Sequence, residues 1–422
     1  MDQVTASIIT IGDELLIGQV IDTNSAWIAQ ELNKIGVWLK RRVAVGDVWD
    51  EIWQALDEES KKADIILITG GLGPTADDIT KPLLSQYFGG KMITDEAALE
   101  NVKNIFERVL KRPMLEVNLK QAEVPDVCTP IKNTRGTAPG MWFEREGKVF
   151  VSMPGVPFEM KEMMTNYVLP QLQQHFTMPF MGHQTFVTYG LGESFLAERI
   201  NPVEIALPPH IKLAYLPNLG MVRLRFTAKG NNKTAIENDL KQVEQQLLPY
   251  IKNVLVAKED ISMETVIARL LDKYEQTVGA AESCTGGYIS HLLTANANSS
   301  SYFTGSIVCY DKKIKEDVLQ VDKTLLQEKG TVDKEVVEQM VAGTLSVLKS
   351  DYAIAVTGLM GPGNGGENKP VGTTWIAVGS KEKTISKEFY FRFDRRRNIE
   401  LTAMNALNLL RLFIIENMPA GD

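Results

Sequence analysis

Several apolar runs in this chain stop abruptly at glycine-rich turns. The clearest is Ala63–Thr69, which leads directly into Gly70-Gly71-Leu72-Gly73-Pro74. A run of this length without polar alternation is typical of a strand that is buried on both faces of a parallel sheet. In open sheets of this kind, ligands bind beyond the carboxyl ends of the strands. The run therefore predicts an α/β fold and also the edge of the sheet at which a site is expected.

Strand-like and helix-like patterns alternate around this run. Strands are predicted at Ala6–Ile11 and Val37–Val45, and helical patterns follow Asp22 and Asp50. Such alternation implies a doubly wound α/β domain. We assign residues 1–172 to this domain.

The pattern changes after residue 172. Residues 173–257 contain short alternating segments and one helical stretch, which predict a small α+β module without a recognisable catalytic constellation. Apolar runs and helical patterns then alternate again, so residues 258–422 are predicted to form a second α/β domain. A chain of 422 residues exceeds what one hydrophobic core usually serves, which agrees with three domains.

The composition narrows the class of protein. The net charge of −8 argues against a surface that coats nucleic acid, because phosphate binding needs clustered lysine and arginine. The three cysteines have neither disulfide-framework nor zinc-ligand spacing, which indicates a reducing compartment. The sequence contains no secretory leader pattern and no apolar run of membrane-spanning length. We therefore expect a cytoplasmic protein whose direct partners include neither a membrane nor a nucleic acid.

Glycines and carboxylates follow the predicted strands of the first domain. Glycine N–H groups can approach a phosphate or a pterin-like group, and neighbouring carboxylates can hold a hard cation. Carboxylates without histidine or cysteine partners suit Mg²⁺ or Mn²⁺, and a metal that bridges two phosphates and activates a water would cleave a pyrophosphate. The candidate metal ligands are Asp13, Glu14, Asp77 and Asp78, and the candidate substrate-binding residues are Gly70, Gly71, Gly73 and Thr75. The alternative is that Asp78 and Thr80 only cap the next helix.

A second junction of this kind, Ala280–Gly287, lies near the start of the predicted third domain. A strand that ends in hydroxyl and glycine residues and turns at once into a helix exposes backbone N–H groups. Such a turn can hold an oxyanion, and Ser283 supplies a nucleophile within it. The structural alternative is a capped helix start with a tight turn.

Two further predicted strands of this domain also end at reactive or glycine-rich positions. Tyr310 and Lys315 follow one strand, and the loop Thr357–Gly366 follows another. If these ends converge, Ser283 would attack a carbonyl, Lys315 or Tyr310 would take its proton, and the turn would hold the oxyanion, as in a nucleophilic amidase. The candidate substrate-binding residues here are Thr285, Gly286, Thr357, Gly358, Gly361 and Arg395.

Each of these roles has an alternative. A lysine base must be neutral, so burial or nearby positive charge has to favour the neutral amine. Arg395 either supplies that charge or grips a substrate phosphate. Cys284 is the rival nucleophile, although none of the four histidines is an obvious base for it and core packing is its other interpretation. Lys315 would lose its role if it lay on a solvated helix face.

Taken together, these segments resemble the CinA family (competence/damage-inducible protein A) over essentially the full length of the chain. Ile11–Glu14 and Thr69–Asp78 resemble the molybdopterin-binding fold that MoaB and MogA proteins share. Ala281–Gly287, Gly361-Pro362 and Lys369–Thr373 resemble the nicotinamide mononucleotide (NMN) deamidase PncC. The expected architecture is therefore a doubly wound molybdopterin-binding-like domain, a small α+β module and a C-terminal α/β deamidase domain.

The resemblance implies two activities. The third domain would hydrolyse the carboxamide of NMN to nicotinate mononucleotide and ammonia without a cofactor, with Ser283, Tyr310 and Lys315 at catalytic positions and Arg395 on the phosphate side. The first domain would hydrolyse ADP-ribose to AMP and ribose 5-phosphate with a divalent cation, which is Mg²⁺, Mn²⁺ or Co²⁺. The resemblance also implies a homodimer. One departure is Tyr310-Asp311-Lys312, where the family usually has Tyr-Ser-Asn before the lysine, so that additional charges lie near Lys315.

Two non-catalytic hypotheses remain. In the first hypothesis, the first domain would bind a molybdopterin or a nucleotide without cleaving it. In the other, the protein would recruit protein partners in DNA uptake or repair, as the family name indicates. The acidic net charge disfavours direct DNA binding in that case.

Overall fold

A computed structural model of the chain describes residues 3–75, 78–363 and 369–417. The chain divides into two compact units, one comprising Met1–Gly182 with Ala228–Asp239 and the other His183–Thr227 with Leu240–Asp422. Asp77, which was predicted as a metal ligand, and the end of the glycine loop at Asn364–Gly366 lie outside the described residues. The predicted mixed α/β fold is confirmed, because parallel strands flanked by helices form the first and third domains.

The first domain contains eight strands in its described residues, with helices between them. The strands are β1 Thr5–Ile11, β2 Trp38–Val45, β3 Ile65–Thr69, β4 Met92–Thr94, β5 Glu123–Pro125, β6 Thr129–Ile131, β7 Gly140–Arg145 and β8 Lys148–Met153. The α-helices are α1 Asp13–Leu16, α2 Thr23–Lys34, α3 Trp49–Ser60, α4 Thr80–Phe88, α5 Glu96–Asn104, α6 Glu116–Leu119, α7 Pro157–Met163 and α8 Leu169–His175. Shorter π and 3₁₀ turns are Ile105–Leu110, Lys120–Ala122 and Met164–Val168.

The main sheet of this domain has the order β2-β1-β3-β8-β7-β6. β1 pairs in parallel with β2 and β3, and β3 pairs in parallel with β8, whereas β7 is antiparallel to its neighbours. Successive residues of β3 enter different cores: Leu67 packs with Ile28 of α2, and Ile66 packs with Ile52 of α3. Helices therefore cover both faces of the sheet, which explains the uninterrupted apolar run that the sequence contains.

The ends of β1, β3 and β8 lie at one edge of the sheet because these strands run in the same direction. At this edge Gly70 has a φ of 107°, and a Cβ atom there would lie 2.2 Å from the carbonyl oxygen of Ile11. Only glycine fits such a close approach of two backbones. The glycine-rich turn is thus held against the end of β1.

The middle module has four strands and two helices in its described residues. They are β9 Phe180–Tyr189, β10 Ile211–Asn218, β11 Met221–Gly230, β12 Leu255–Ala257, α9 Glu193–Ile205 and α10 Lys233–Ile251. The strand order is β10-β11-β9-β12. The sequence did not predict α9, which contains Pro202 in its interior. Within the second unit, Val187 and Tyr189 of β9 join the same apolar cluster as Met263 and Leu271 of the third domain.

The third domain, like the first, is an α/β domain with helices on its sheet. Its strands are β13 Val278–Glu282, β14 Phe303–Val308, β15 Tyr352–Gly358, β16 Thr373–Gly379 and β17 Thr384–Tyr390, and its helices are α11 Met263–Lys273, α12 Tyr288–Thr294, α13 Lys312–Asp317, α14 Lys323–Glu328, α15 Lys334–Leu348 and α16 Arg395–Asn417, with a 3₁₀ turn at Ser299–Ser301. The sheet order is β14-β13-β15-β16-β17. β14, β13 and β15 are parallel, so that their carboxyl ends share one edge.

The closing helix α16 has the length and composition of a membrane span, with a mean hydropathy of 1.2. However, 56% of the 18-residue apolar stretch of this helix is buried. Leu407, Leu410 and Phe413 pack in the core of the third domain. On the other face of the sheet, α15 contributes Val337 and Met340 to a second core. We therefore interpret α16 as a core helix.

Candidate functional site

Ser283 and Lys315 meet at the carboxyl edge of the third-domain sheet. Ser283 directly follows β13, and Lys315 lies on α13, which follows β14. The Nζ of Lys315 donates a hydrogen bond of 3.0 Å to the Oγ of Ser283 and another of 2.5 Å to the carbonyl oxygen of Cys309. Lys315 is 1% exposed and Ser283 is 9% exposed. The hypothesis that Lys315 lies on a solvated helix face is therefore wrong.

This geometry suits a nucleophile and its base. A base has to lie within hydrogen-bonding distance of the proton that it accepts, and the Ser283–Lys315 distance meets that requirement. Lys315 and Ser283 are both buried, so bulk water does not separate the amine from the hydroxyl. The pair can therefore transfer a proton from the serine hydroxyl to the lysine amine.

Asp311, at which the chain departs from the family pattern, has a structural role. It is the N-cap of α13, and its Oδ1 accepts a hydrogen bond of 2.7 Å from the backbone N–H of Lys313. The neighbouring Lys312 donates to the carbonyl oxygen of Leu326 at 2.9 Å. The two additional charges are thus bound to the backbone around α13, the helix that carries Lys315.

The turn after β13 leaves two N–H groups available for an oxyanion. The N–H of Ser283 donates to the carbonyl oxygen of Val356, and the N–H of Gly286 donates to the carbonyl oxygen of Ser283. The N–H of Gly287 donates to the carboxylate of Glu282. The N–H groups of Cys284 and Thr285 have no hydrogen-bond acceptor among the described residues. The predicted oxyanion site is thereby narrowed from the whole turn to these two groups.

A cavity of about 270 Å³ opens beside Ser283. The predicted substrate-binding residues that line it are Thr357, Gly358, Gly361 and Arg395. Thr285 and Gly286 were predicted to bind substrate but do not line it, because the turn directs the Thr285 hydroxyl to Glu282 at 2.7 Å. For Thr285, only the backbone N–H remains as a candidate contact.

Tyr310 and Arg395 lie together at this cavity. The guanidinium of Arg395 donates a hydrogen bond of 3.1 Å to the Tyr310 hydroxyl and another of 2.5 Å to the carbonyl oxygen of Gly361. Tyr310 is 64% exposed, whereas Lys315 is almost fully buried. Of the two candidate bases, the geometry favours Lys315, because Lys315 is the one that is hydrogen-bonded to Ser283.

Cys284 borders the cavity, but its side chain belongs to the core. It is 5% exposed and packs in one cluster with Ile289 and Val356. Burial raises the pKa of its thiol to about 12, so the thiolate that a cysteine nucleophile needs is scarce at neutral pH. The geometry therefore supports Ser283 as the nucleophile.

The first domain has a larger cavity, of about 540 Å³, at the carboxyl edge of its sheet. The predicted residues that line it are Glu14, Gly70, Gly71, Gly73 and Asp78. Asp13 and Thr75 do not line it. The cavity is also lined by four residues that no pattern in the sequence indicated, which are Asn24, Asp47, Gln121 and Glu159. They lie in separate segments of the chain, and only the fold brings them to one cavity.

Asp78 orders the glycine-rich loop. Its carboxylate accepts hydrogen bonds from the N–H of Gly73 at 2.7 Å, from the N–H of Thr75 at 2.9 Å and from the Thr75 hydroxyl at 2.5 Å. The N-cap of α4 is Ile79, without a side-chain capping bond. The alternative in which Asp78 and Thr80 cap the next helix is therefore wrong, and Thr75 contacts Asp78 instead of the cavity.

The predicted metal site remains a prediction. Over residues 3–75, 78–363 and 369–417, no three or more histidine, cysteine, aspartate or glutamate residues cluster as metal ligands. Asp13 instead faces Asp47, whose N–H donates to it at 3.3 Å. Mg²⁺ usually needs only one or two protein carboxylates together with substrate phosphates and waters. Glu14 and Asp78 line the cavity and stay the candidate ligands, with both carboxylate oxygens of Asp78 also accepting hydrogen bonds from the loop.

Sequence models of three domain families match the chain in order. They are described as "Probable molybdopterin binding domain" for residues 7–174, "Damage-inducible protein CinA KH domain" for residues 183–256 and "CinA C-terminal domain" for residues 260–414. The fold and these family matches together define a protein that joins a molybdopterin-binding-type α/β domain to a second α/β domain. The chain belongs to the CinA family, as a 42% identical relative over 96% of its length shows.

That relative is the "CinA-like protein" of Cytophaga hutchinsonii, of which 97% is covered. The "Putative competence-damage inducible protein" of Caldicellulosiruptor bescii is 36% identical over 97% of this chain and 99% of that protein. Among solved structures, "the protein CinA with unknown function from Thermoplasma acidophilum" is 35% identical over 39% of this chain and 96% of that chain, with a TM-score of 0.37.

Proposed function

We propose that the third domain is an amidohydrolase that converts NMN and water to nicotinate mononucleotide and ammonia. The observation that carries this proposal is the buried hydrogen bond of 3.0 Å between Lys315 and Ser283. The resemblance of this domain to NMN deamidases supplies the substrate. The cavity beside Ser283 is lined by the cationic Arg395, which suits a ligand with one phosphate.

In the proposed reaction, the Oγ of Ser283 attacks the carboxamide carbon while its proton moves to Lys315. The N–H groups of Cys284 and Thr285 stabilise the oxyanion that forms. Collapse of this intermediate breaks the carbon–nitrogen bond, and Lys315 returns the proton to the departing ammonia. A water molecule then hydrolyses the acyl-enzyme ester with Lys315 as base, which regenerates Ser283.

We further propose that the first domain hydrolyses ADP-ribose to AMP and ribose 5-phosphate. Its cavity of about 540 Å³ is in the size range of sites for small-molecule ligands. The N–H groups of Gly71 and Leu72 have no acceptor among the described residues, so they are available to a phosphate. Glu14 and Asp78 would hold a divalent cation, which neutralises phosphate charge and activates water when bound.

Paired variants of the full chain test both activities. Ser283→Ala is expected to abolish ammonia release from NMN and to preserve AMP release from ADP-ribose. Asp78→Ala is expected to have the reverse effect, because it removes the carboxylate that orders the glycine-rich loop. Circular dichroism of both variants controls for folding. Loss of both activities in either folded variant would contradict the assignment of one activity to each domain.

A second candidate for the first domain is ligand binding without cleavage. It is favoured by the contacts of Asp78, whose two carboxylate oxygens both accept hydrogen bonds from the glycine-rich loop. Calorimetry with ADP-ribose, run beside an AMP-release assay with Mg²⁺, Mn²⁺ or Co²⁺, separates the two candidates. Binding without AMP release with any of these cations would replace the pyrophosphatase by a nucleotide-binding domain.

A further inference from the structure

Glu282 is a buried carboxylate that the sequence analysis did not single out. It is the last residue of β13, directly precedes Ser283 and is 0% exposed. Its Oε2 accepts hydrogen bonds from the Thr285 hydroxyl at 2.7 Å, the N–H of Gly287 at 3.1 Å and the N–H of Ile289 at 2.9 Å. Its Oε1 accepts from the N–H of Ser290 at 2.8 Å, from the Ser290 hydroxyl and, weakly, from the Ser306 hydroxyl at 3.5 Å.

This set of contacts exceeds ordinary helix capping. A capping side chain normally belongs to the N-cap residue and satisfies one or two N–H groups. The N-cap of α12 is Gly287, which has no side chain and a φ of 102°. Glu282 supplies the missing cap from the preceding strand, and it also binds the Thr285 hydroxyl within the turn. One side chain thus connects the end of β13, the turn and the start of α12.

The same contacts determine which N–H groups of the turn stay available. Glu282 occupies the N–H of Gly287, and backbone carbonyl oxygens accept from those of Ser283 and Gly286. Within the part of the chain that the structure describes, the N–H groups of Cys284 and Thr285 are left without an acceptor, on the peptides that directly follow the nucleophile. The bond between the Thr285 hydroxyl and Oε2 holds the second of these residues in place.

We propose that Glu282 is a positioning residue, which holds the N–H groups of Cys284 and Thr285 where the oxyanion of the amide reaction forms. The proposal rests on the amidohydrolase function proposed for this domain. Donors aimed at an oxyanion act mainly in the transition state, so their displacement lowers kcat more than it changes KM. A purely structural cap would instead change the thermal midpoint and leave the kinetics of the folded enzyme unchanged.

Thr285→Val in the full chain tests this role, because valine keeps the shape of threonine but cannot donate to Glu282. We expect kcat for ammonia release from NMN to fall about 10-fold or more, with KM within about 2-fold of the wild-type value. Thr304→Val is the matched control. The Thr304 hydroxyl donates a hydrogen bond of 3.2 Å to the carbonyl oxygen of Val278, at the other end of β13. Because this bond is remote from the turn, kcat is expected to stay unchanged.

Glu282→Gln provides a stronger change, because an amide NH₂ would face N–H donors, and we expect a larger loss of kcat. If this variant does not fold, Thr285→Val and the similar Ser290→Ala still decide the proposal. A folded Thr285→Val with wild-type kcat would overturn the role of Glu282. A wild-type chain that releases no ammonia from NMN would instead overturn the amidohydrolase function itself.

Discussion

The amine of Lys315 lies 3.0 Å from the hydroxyl of Ser283, although the two residues are 32 positions apart in the chain. Parallel pairing of β13 and β14 produces this contact, because it places both strand ends at one edge of the sheet. α13 then directs the lysine back toward the serine, where only 1% of Lys315 remains exposed. The proposed amide chemistry depends on this contact.

Lys315→Met is expected to lower kcat for ammonia release by about 10²-fold to 10⁴-fold, the range associated with a general base. Methionine keeps most of the apolar volume of the buried lysine chain, so the fold is expected to persist. Lys313→Met on the same helix is the matched control, since Lys313 is exposed and outside the cavity. Equal activity of both variants in a coupled ammonia assay would exclude Lys315 as the base.

Cys284→Ala is expected to keep ammonia release within about 3-fold of the wild-type rate, because the variant retains the backbone N–H that we assign to the oxyanion. Since burial raises the pKa of this thiol to about 12, it stays protonated at pH 8. Iodoacetamide is therefore expected to leave Cys284 unmodified in the native protein and to alkylate it in urea, as peptide mass spectrometry can determine. Rapid native alkylation that stops the reaction would support the thiol as nucleophile.

Lys81 is expected to make the stability of the first domain depend on pH. Burial lowers the pKa of Lys81 from 10.5 to about 8, and its amine donates to the carbonyl oxygen of Gln121 at 2.7 Å. Between these two pKa values the unfolded chain binds more protons than the folded chain, so this group raises stability as pH increases. Below pH 8 both states are protonated, and its contribution is constant.

We therefore expect the free energy of unfolding of the wild type, relative to Lys81→Met, to rise by about 2 kcal/mol from pH 7.5 to pH 10. The comparison with Lys81→Met cancels the titration of the other groups. Urea unfolding followed by tryptophan fluorescence measures this domain, because Trp375 is the only one of the six tryptophans outside it. A difference that does not change with pH would contradict the lowered pKa.

Gly70→Ala is expected to destabilise the first domain far more than Gly89→Ala. Both glycines have positive φ, at 107° and 75°, but only at Gly70 would a Cβ atom meet a backbone oxygen, at 2.2 Å. At Gly89 nothing lies within 4 Å, so only the cost of about 1 kcal/mol for a left-handed alanine is expected. Similar urea midpoints for the two variants would show that the end of β1 can move away from the turn.

The sequence predicted the local features of both sites well. Buried strands such as β3 and β15 appear as apolar runs, and the turns after them appear as glycine and hydroxyl clusters, because both patterns depend on neighbouring residues. Local pattern did not predict α9, because the helix contains Pro202, or β17, because polar and apolar residues alternate imperfectly over Thr384–Tyr390. Glu282 was overlooked as well, because a single glutamate beside a serine gives no sign of its partners.

The amino-acid sequence was sufficient to identify the α/β class, the strand ends that carry the candidate residues and the family. The class and the strand ends follow from hydrophobic periodicity and turn chemistry, which act over a few residues, whereas the family follows from the resemblance of the motifs. The tertiary structure alone decided that Lys315 is buried against Ser283, that Glu282 binds the turn, and that Asp78 orders its loop instead of capping α4. Burial and hydrogen-bond partners depend on how distant segments pack together, and no local pattern encodes that packing.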